Sequence, residues 1–252
     1  MAQYQSCIIC TSPRSGSTLL CRLLAATGKA GVPDSHFHEP SVSAWMEDFG
    51  LQADQYPSEK EQLTAVFAAA QACGTGNSDL FGLRLQRHSF DFFMQKLDFL
   101  YPDLPSDAER LRVAFGQILF IHLTRPNKLE QAISRLRAEQ SGLWHRNADG
   151  TELERLSAPQ QPAYDAVAIA RHINDMTVDD ENWTSWFKRE GITPLRITYD
   201  DLSRDPSAIL SGILEELGLD GSIARIIPLP TARLSDEINR SWAQRFQNEN
   251  EG

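Results

Sequence analysis

The sequence predicts an α/β fold, a parallel sheet flanked by helices, in a single domain that spans residues 1–252. Short apolar segments alternate with longer amphipathic ones, which is the pattern of a parallel sheet covered on both faces. No linker rich in Pro, Gly or Ser divides the chain. Its 252 residues, of which 41% are hydrophobic, are enough to bury a core without disulfides or metal.

The strands are predicted from short apolar runs bounded by turn-forming residues. They lie at 6–10, 80–86, Ile118–Thr124 and 193–199, and Ile118–Thr124 (ILFIHLT) is the clearest of them. Cys7 and Cys10 lie in the first strand, where their odd offset puts the two side chains on opposite faces. We therefore interpret them as small buried residues and not as a redox pair or half of a zinc site.

The helices are predicted where apolar residues recur with helical spacing between start and stop signals. They cover 18–27, 41–49, 59–72, 90–99, Lys128–Ser141, 164–190, 206–217 and 236–248. Gly28 supplies the stop signal of the first helix. The segment 142–161 is polar and irregular, and we expect a flexible loop or lid there.

Charge and composition exclude several classes of protein. The chain has 24 Lys and Arg against 34 Asp and Glu, a net charge of -10, which argues against nucleic-acid binding because that needs a basic face. The net charge does not exclude a local basic pocket that binds a small anion. No apolar run approaches the roughly 20 residues of a membrane span, and residues 1–5 do not begin a signal peptide. With only 4 cysteines, we expect a cytoplasmic location.

The connection between the first strand and the first helix is a candidate phosphate-binding loop. Backbone N–H groups of such a turn point at an anion, and the helix N-terminus adds its dipole. Gly16 allows close approach of the backbone, and Arg14 adds a positive charge that can pair with phosphate. The candidate residues of the loop are Pro13, Arg14, Ser15, Gly16, Ser17 and Thr18.

This P-loop-like connection departs from the loop of nucleotide triphosphatases, G-x-x-x-x-G-K-[ST]. Alignment on Gly16 puts Ser17 at the position of the Lys and Thr11 at that of the first Gly. The Lys that neutralises the β- and γ-phosphates is therefore missing, and a basic residue precedes the Gly instead. The departure indicates a different anion on the same scaffold.

Residues 11–20, TSPRSGSTLL, resemble the 5′-phosphosulfate loop of sulfotransferases that use 3′-phosphoadenosine 5′-phosphosulfate (PAPS). Together with residues 26–28 and 30–33, this segment is most similar to the bacterial trehalose 2-sulfotransferase family. That family overlaps with proteins labelled lipopolysaccharide or Nod-factor sulfotransferases. The resemblance covers most of the chain, loosely beyond residue 40. It implies PAPS as sulfuryl donor, a carbohydrate or glycolipid hydroxyl as acceptor, no metal, and it admits a homodimer.

A second motif, IHLTRP at 121–126 followed by AIS at 132–134, strengthens the resemblance. The family pattern implies that Arg125 and Ser134 hold the 3′-phosphate of the donor, and a guanidinium with a hydroxyl suits phosphate chemically. The structural alternative is that Arg125 caps a carbonyl and Ser134 is a solvated helix residue. Arg233 and the segment 236–248 resemble the C-terminal region that closes over the donor in the family.

The catalytic base is not given by the resemblance, because Ser35 occupies the position of the Glu that serves this role in the family pattern. His36 and Glu39 are the nearest replacements, and His36 is favoured because its ordinary pKa of about 6.5 lies near working pH. Loop polarity is the alternative explanation, and a metal site is disfavoured because no second cluster completes it. Residues 82–85, GLRL, resemble a G-x-K-L strand of the family, so Arg84 is expected to face the sulfuryl group or the acceptor hydroxyl. The alternative is a surface Arg at the end of a strand.

The leading hypothesis is in-line transfer of a sulfuryl group from PAPS to a sugar hydroxyl. A base removes the hydroxyl proton, and Arg14 with the loop amides stabilises the charge that develops on the leaving phosphate. Two alternatives remain. One is a P-loop kinase or nucleotide hydrolase, which the missing Lys disfavours. The other is a catalytically inactive nucleotide-binding scaffold, which the Ser35 departure keeps open.

Overall fold

The computed structural model of the protein describes residues 3–230 and 237–250, and a parallel sheet lies at their centre. The strands are β1 (Ser6–Thr11), β2 (Phe81–Gln86), β3 (Ile118–Thr124), β4 (Leu143–Arg146), β5 (Glu152–Arg155) and β6 (Leu195–Thr198). The parallel sheet has the order β2-β1-β3-β6. Strands β1 and β2 end together, since Thr11 pairs in register with Gln86. Thr11 also pairs with Leu123 of β3, so the carboxyl ends of three strands meet at one edge. The α/β parallel-sheet prediction is confirmed.

Helices cover both faces of this sheet. They are α1 (Ser17–Ala26), α2 (Val42–Asp48), α3 (Glu59–Thr75), α4 (Arg87–Leu100), α5 (Asp107–Phe115), α6 (Lys128–Ser141), α7 (Ala166–Arg189), α8 (Tyr199–Arg204), α9 (Pro206–Glu216) and α10 (Glu237–Asn250). Short 3₁₀ turns cover Ala53–Gln55 and Gly221–Ile226. Within the described chain, no helix combines the length and apolar character of a membrane span.

The strand β1 separates two cores because its side chains alternate between the faces of the sheet. Ile8 and Cys10 belong to an aromatic core with Trp45 and Phe93. Cys7 and Ile9 belong to the opposite core, which is mostly aliphatic and includes residues of α1 and α9. The two cysteines are therefore buried on opposite faces, as the sequence analysis expected, and the sheet is a rigid frame for its carboxyl edge.

The segment predicted to be an irregular loop contains an antiparallel hairpin of β4 and β5. Its turn is closed by a hydrogen bond of 2.9 Å from the Gly150 N–H to the Asn147 carbonyl, and Gly150 adopts a φ of 85°. The strands are short and half-exposed, so they lack the apolar run that reveals a buried strand.

Candidate active site

A cavity of about 870 Å³ lies at the carboxyl edge of the sheet, where open parallel sheets bind their ligands. Its wall is formed by the loop after β1, the start of α1, the segment 32–35, the ends of β2 and β3, α6, the β4–β5 hairpin and α8. Elements that are far apart in sequence therefore contribute to one site.

The loop after β1 is held rigidly against its surroundings. Thr11 Oγ1 donates to the Leu123 carbonyl at 2.8 Å and also bonds the hydroxyl of Ser15. The indole N–H of Trp183 donates to the Thr11 carbonyl at 3.0 Å. Ser15 is fully buried and is not among the cavity-lining residues, so its hydroxyl serves the loop structure.

The loop delivers a helix N-terminus to the cavity. α1 begins at Ser17 with no side-chain cap, so the first amides of the helix lack the partner that a cap provides and are available to an anion. Gly16 precedes the helix with a φ of 89°. Arg14 also adopts a left-handed backbone, with a φ of 63°. Pro13, Arg14, Gly16, Ser17 and Thr18 all line the cavity.

Gly16→Ala is expected to cost more stability than Gly28→Ala. Both glycines have positive φ, where a side chain costs about 1 kcal/mol. A Cβ at Gly16 would lie 2.6 Å from Cδ2 of Tyr199, whereas a Cβ at Gly28 would meet nothing within 4 Å. Overpacking should add about 1–3 kcal/mol at Gly16 alone. Chemical denaturation of the two variants measures the difference, and equal losses would contradict the close approach of Tyr199.

Arg14, Ser134 and Arg125 come together on one side of the cavity. Arg14 Nε donates to Ser134 Oγ at 3.0 Å, and Arg14 Nη1 donates to the Trp144 carbonyl at 2.5 Å. Burial, followed by the nearby Arg125 cation, lowers the pKa of Arg14 to about 10, so Arg14 stays charged at neutral pH. The two motifs found in the sequence thus form one basic wall.

Arg125 is buried and held from two directions. Its Nη2 donates to Glu130 Oε2 at 2.8 Å, and its guanidinium lies 4.4 Å from the ring centre of Tyr199, a cation–π contact. Its Nε is buried and has no hydrogen-bond partner within residues 3–230 and 237–250. A buried donor of this kind needs an acceptor, and a phosphate oxygen would supply one.

Arg84 forms a second polar centre at the end of β2. Its Nε donates to Ser35 Oγ at 2.6 Å and its Nη1 to Thr18 Oγ1 at 2.9 Å. Its Nη2 lies 3.4 Å from the exposed Asp34 carboxylate. Arg84 therefore joins Thr18, in the first turn of α1, to Ser35.

The structure does not bring His36 and Glu39 to the cavity. Neither is among its lining residues, and the His36 ring packs 5.4 Å from that of Phe49. Burial lowers the pKa of His36. His38 and His88 line the cavity instead, with ring centres 4.7 Å apart. Arg233 lies outside the described residues.

The hairpin supplies residues that sequence reasoning did not single out. Trp144 accepts a hydrogen bond from Arg14, and His145 Nε2 lies 3.0 Å from Thr18 Oγ1. His145 Nε2 also lies 3.5 Å from a Glu154 carboxylate oxygen. No local motif marks these residues, because they reach the loop only through the tertiary fold.

The charge of the cavity is opposite to that of the chain. The described lining has six arginines and two carboxylates, in a protein with a net charge of -10. The arginines are Arg14, Arg22, Arg84, Arg125, Arg135 and Arg146, and the carboxylates are Asp34 and Glu154. Such clustering raises the local concentration of anions, so the described lining favours a negatively charged ligand.

Fold and site together define a class, the α/β proteins with an arginine-rich cavity between a strand, a loop and a helix N-terminus, the place where such folds bind anionic ligands. The family model described as Stf0 sulphotransferase matches residues 6–249, and the chain belongs to this family. It is therefore a transferase of the sulfotransferase group, which confirms the family predicted from the two sequence motifs.

Two curated relatives match almost the whole chain, and both are named trehalose 2-sulfotransferase. The protein of Mycobacterium tuberculosis (strain ATCC 35801 / TMC 107 / Erdman) is 28% identical, over 96% of this chain and 94% of its own. The protein of Mycolicibacterium smegmatis (strain ATCC 700084 / mc(2)155) is also 28% identical, over 95% of this chain and 93% of its own.

Two solved structures are also similar to the chain. The sulfotransferase domain of the Synechococcus PCC 7002 olefin synthase has 19% identity and a TM-score of 0.37, covering 98% of this chain and 96% of that one. A sulfotransferase from Alicyclobacillus acidocaldarius has 13% identity and a TM-score of 0.46, covering 99% of this chain and 93% of that one.

Proposed function

We propose that the protein transfers a sulfuryl group from PAPS to a hydroxyl of a carbohydrate or glycolipid. The observation that carries the proposal is the arginine-rich cavity at the uncapped N-terminus of α1. PAPS has a 3′-phosphate and a 5′-phosphosulfate, and its several negative charges match this excess of arginines. The family to which the chain belongs supports sulfuryl transfer as the reaction.

The residues present fit this donor. The loop residues that line the cavity, with the first amides of α1, would hold the 5′-phosphosulfate. Arg125 and Ser134 would hold the 3′-phosphate, and the buried Arg125 Nε without a partner in the described chain supports this assignment. The donor supplies the activated sulfuryl group, and the protein supplies position and charge. Arg14 would stabilise the negative charge that develops on the leaving phosphate.

The acceptor is proposed to be a sugar, because both curated relatives are named for trehalose sulfation. In addition to Arg84, the cavity is lined by side chains that can form hydrogen bonds with sugar hydroxyl groups, namely Asp34, Ser35, His38, Gln86 and His88. Leu156 and Leu229 also line the cavity and are more than half exposed. These two leucines would give the lipid part of a glycolipid an apolar contact.

Adenosine 3′,5′-bisphosphate (PAP), the product form of the donor, is expected to raise the melting temperature of the protein strongly. A ligand at 100 times its dissociation constant stabilises the folded state by about 2.7 kcal/mol. ATP with Mg²⁺ is expected to give a smaller shift, because the loop lacks the Lys of nucleotide triphosphatases. Thermal-shift measurements compare the two ligands at equal concentration.

The same comparison tests the alternatives. A larger shift with ATP and Mg²⁺ would favour a kinase or nucleotide hydrolase and would contradict the proposal. A PAP shift without turnover in a screen of sugars and glycolipids with radiolabelled PAPS would favour an inactive scaffold. A PAP shift together with sulfation of a sugar hydroxyl is the result we expect.

A further inference from the structure

We propose that His145, on the β4–β5 hairpin, accepts the proton of the acceptor hydroxyl during sulfuryl transfer. The inference rests on the function proposed above and identifies the base that Ser35 leaves missing. His145 lines the cavity, and its Nε2 lies 3.0 Å from Thr18 Oγ1 in the first turn of α1. It therefore stands next to the loop that would hold the reacting group.

Nε2 is the ring nitrogen of His145 that faces the loop. Arg84 can only donate, so Thr18 Oγ1 accepts the bond of 2.9 Å from Arg84 Nη1 and keeps one lone pair and one hydrogen for His145 Nε2. In the neutral tautomer with the hydrogen on Nδ1, Nε2 presents a lone pair to the loop. The proposal uses this tautomer, and the acceptor hydroxyl would replace Thr18 as the donor to that lone pair.

The charges around His145 keep it neutral while the site holds no anion. Arg14 faces it from the loop, Arg22 from α1 and Arg84 from β2, and burial together with these cations lowers its pKa to about 3. A base with such a low pKa is weak. The negative charges of a bound donor would offset the same arginines and raise the pKa of His145, so the base becomes effective when the donor is in place.

The proton has a defined destination. The acceptor oxygen forms its bond to sulfur while its proton passes to His145 Nε2, and the electron pair of the S–O bond to the phosphate leaves with the PAP product. Glu154 Oε2 lies 3.5 Å from Nε2 and would stabilise the imidazolium that results. The proton is then released to solvent when the products leave.

His145→Gln is the variant that tests the proposal, because the Gln amide can still bond Thr18 but cannot take up a proton. Single-turnover sulfation at saturating PAPS should fall by about 10²-fold. In the parent protein the rate should fall as pH decreases, because protonated His145 cannot act as a base, and this acid limb should disappear in the variant. Affinity for PAP, measured by calorimetry at a pH above the acid limb, should be unchanged.

Calorimetry in two buffers of different ionisation enthalpy gives a readout that does not need turnover. At pH values within the acid limb, PAP binding to the parent protein should be accompanied by more proton uptake than binding to His145→Gln, because the negative charge of the ligand raises the pKa of His145. Glu154→Gln should move the acid limb to lower pH. Glu152→Gln is the matched control, since Glu152 lies on the same strand, is exposed, pairs with Arg155 and is not a lining residue, and it should change nothing.

The outcomes separate the two proposals. A parent protein that neither binds PAP nor transfers sulfate would contradict the proposed function itself. A parent protein that does both, with an acid limb that survives in His145→Gln, would overturn the role of His145, whatever the loss of rate. If the acid limb of the rate profile disappears in His36→Ala or His38→Gln but remains in His145→Gln, the base lies in the segment 35–39.

Discussion

Arg14→Ala is expected to lower kcat/KM for PAPS by about 10³-fold, the upper range for removal of one group that stabilises developing charge. Arg14 is the only cation of the loop 12–18. Its bonds to Ser134 and Trp144 engage Nε and one hydrogen of Nη1. The remaining donors of its guanidinium have no hydrogen-bond partner among the described residues and would bind the leaving phosphate, and alanine removes them together with the charge.

The fold should survive this substitution. Arg14 already has a left-handed backbone, so alanine, another residue with a Cβ, adds no backbone strain. The two lost hydrogen bonds should cost about 1–3 kcal/mol together, which chemical denaturation can measure. A large loss of stability would show that Arg14 mainly holds the hairpin to the loop, and would weaken a catalytic interpretation of the lost rate.

Two further variants separate charge from geometry. Arg14→Lys keeps the charge but not the planar fork that reaches Ser134 and Trp144 together, so it should recover only part of the activity. Arg204→Ala removes a cation whose side chain is 72% exposed and paired with Asp201, outside the cavity. It should leave kcat/KM unchanged. An unchanged rate in Arg14→Ala would remove this residue from the mechanism.

The loop after β1 could be predicted because its residues are contiguous. A strand, a loop with Gly16 and a helix can be read from a few successive residues, and such signals depend on local backbone preference, so they survive without knowledge of the fold. Arg125 and Ser134, by contrast, were assigned through the family resemblance. The structure places Arg14, Arg125 and Ser134 in contact or close to one another, although the sequence alone gave no distance between the motifs.

The hairpin residues could not be predicted in the same way. Trp144 and His145 reach the loop across more than a hundred residues of chain, and their short strands are too polar to give a strand signal. The helix α5 was also missing from the predicted helices, but here the sequence does contain a helix start signal. Ser106 accepts a hydrogen bond of 3.2 Å from the Glu109 N–H, and S-x-x-E is the capping-box pattern.

Tyr199 shows why the part of the cavity wall next to Gly16 and Arg125 could not be predicted from the sequence. It follows β6 and begins α8, and its ring contacts the guanidinium of Arg125 and limits the space at Gly16. An aromatic residue after a buried strand is ordinary in sequence, so only the parallel pairing of β3 with β6 brings it to the site. The fold, and not a motif, defines this part of the cavity.

Arg125→Ala is expected to weaken the binding of PAPS by about 10²-fold. The binding of adenosine 5′-phosphosulfate, which lacks the 3′-phosphate, should weaken far less. Hydrogen bonds to charged groups contribute about 1.5–3 kcal/mol, and the buried Nε without a partner in the described chain is the donor that a phosphate would satisfy. The ratio of the two dissociation constants, measured for parent and variant, isolates the 3′-phosphate from the rest of the donor.

Glu130→Gln is the matched variant, because Glu130 Oε2 accepts from Arg125 Nη2 at 2.8 Å and is an anion beside the proposed phosphate. Removing this charge should tighten PAPS binding and leave adenosine 5′-phosphosulfate unchanged, opposite in sign to Arg125→Ala. Arg125 also contacts Tyr199, so a general distortion of the cavity would weaken both nucleotides alike. Equal losses for the two nucleotides in Arg125→Ala, with no gain in Glu130→Gln, would show that Arg125 serves the fold and not the 3′-phosphate.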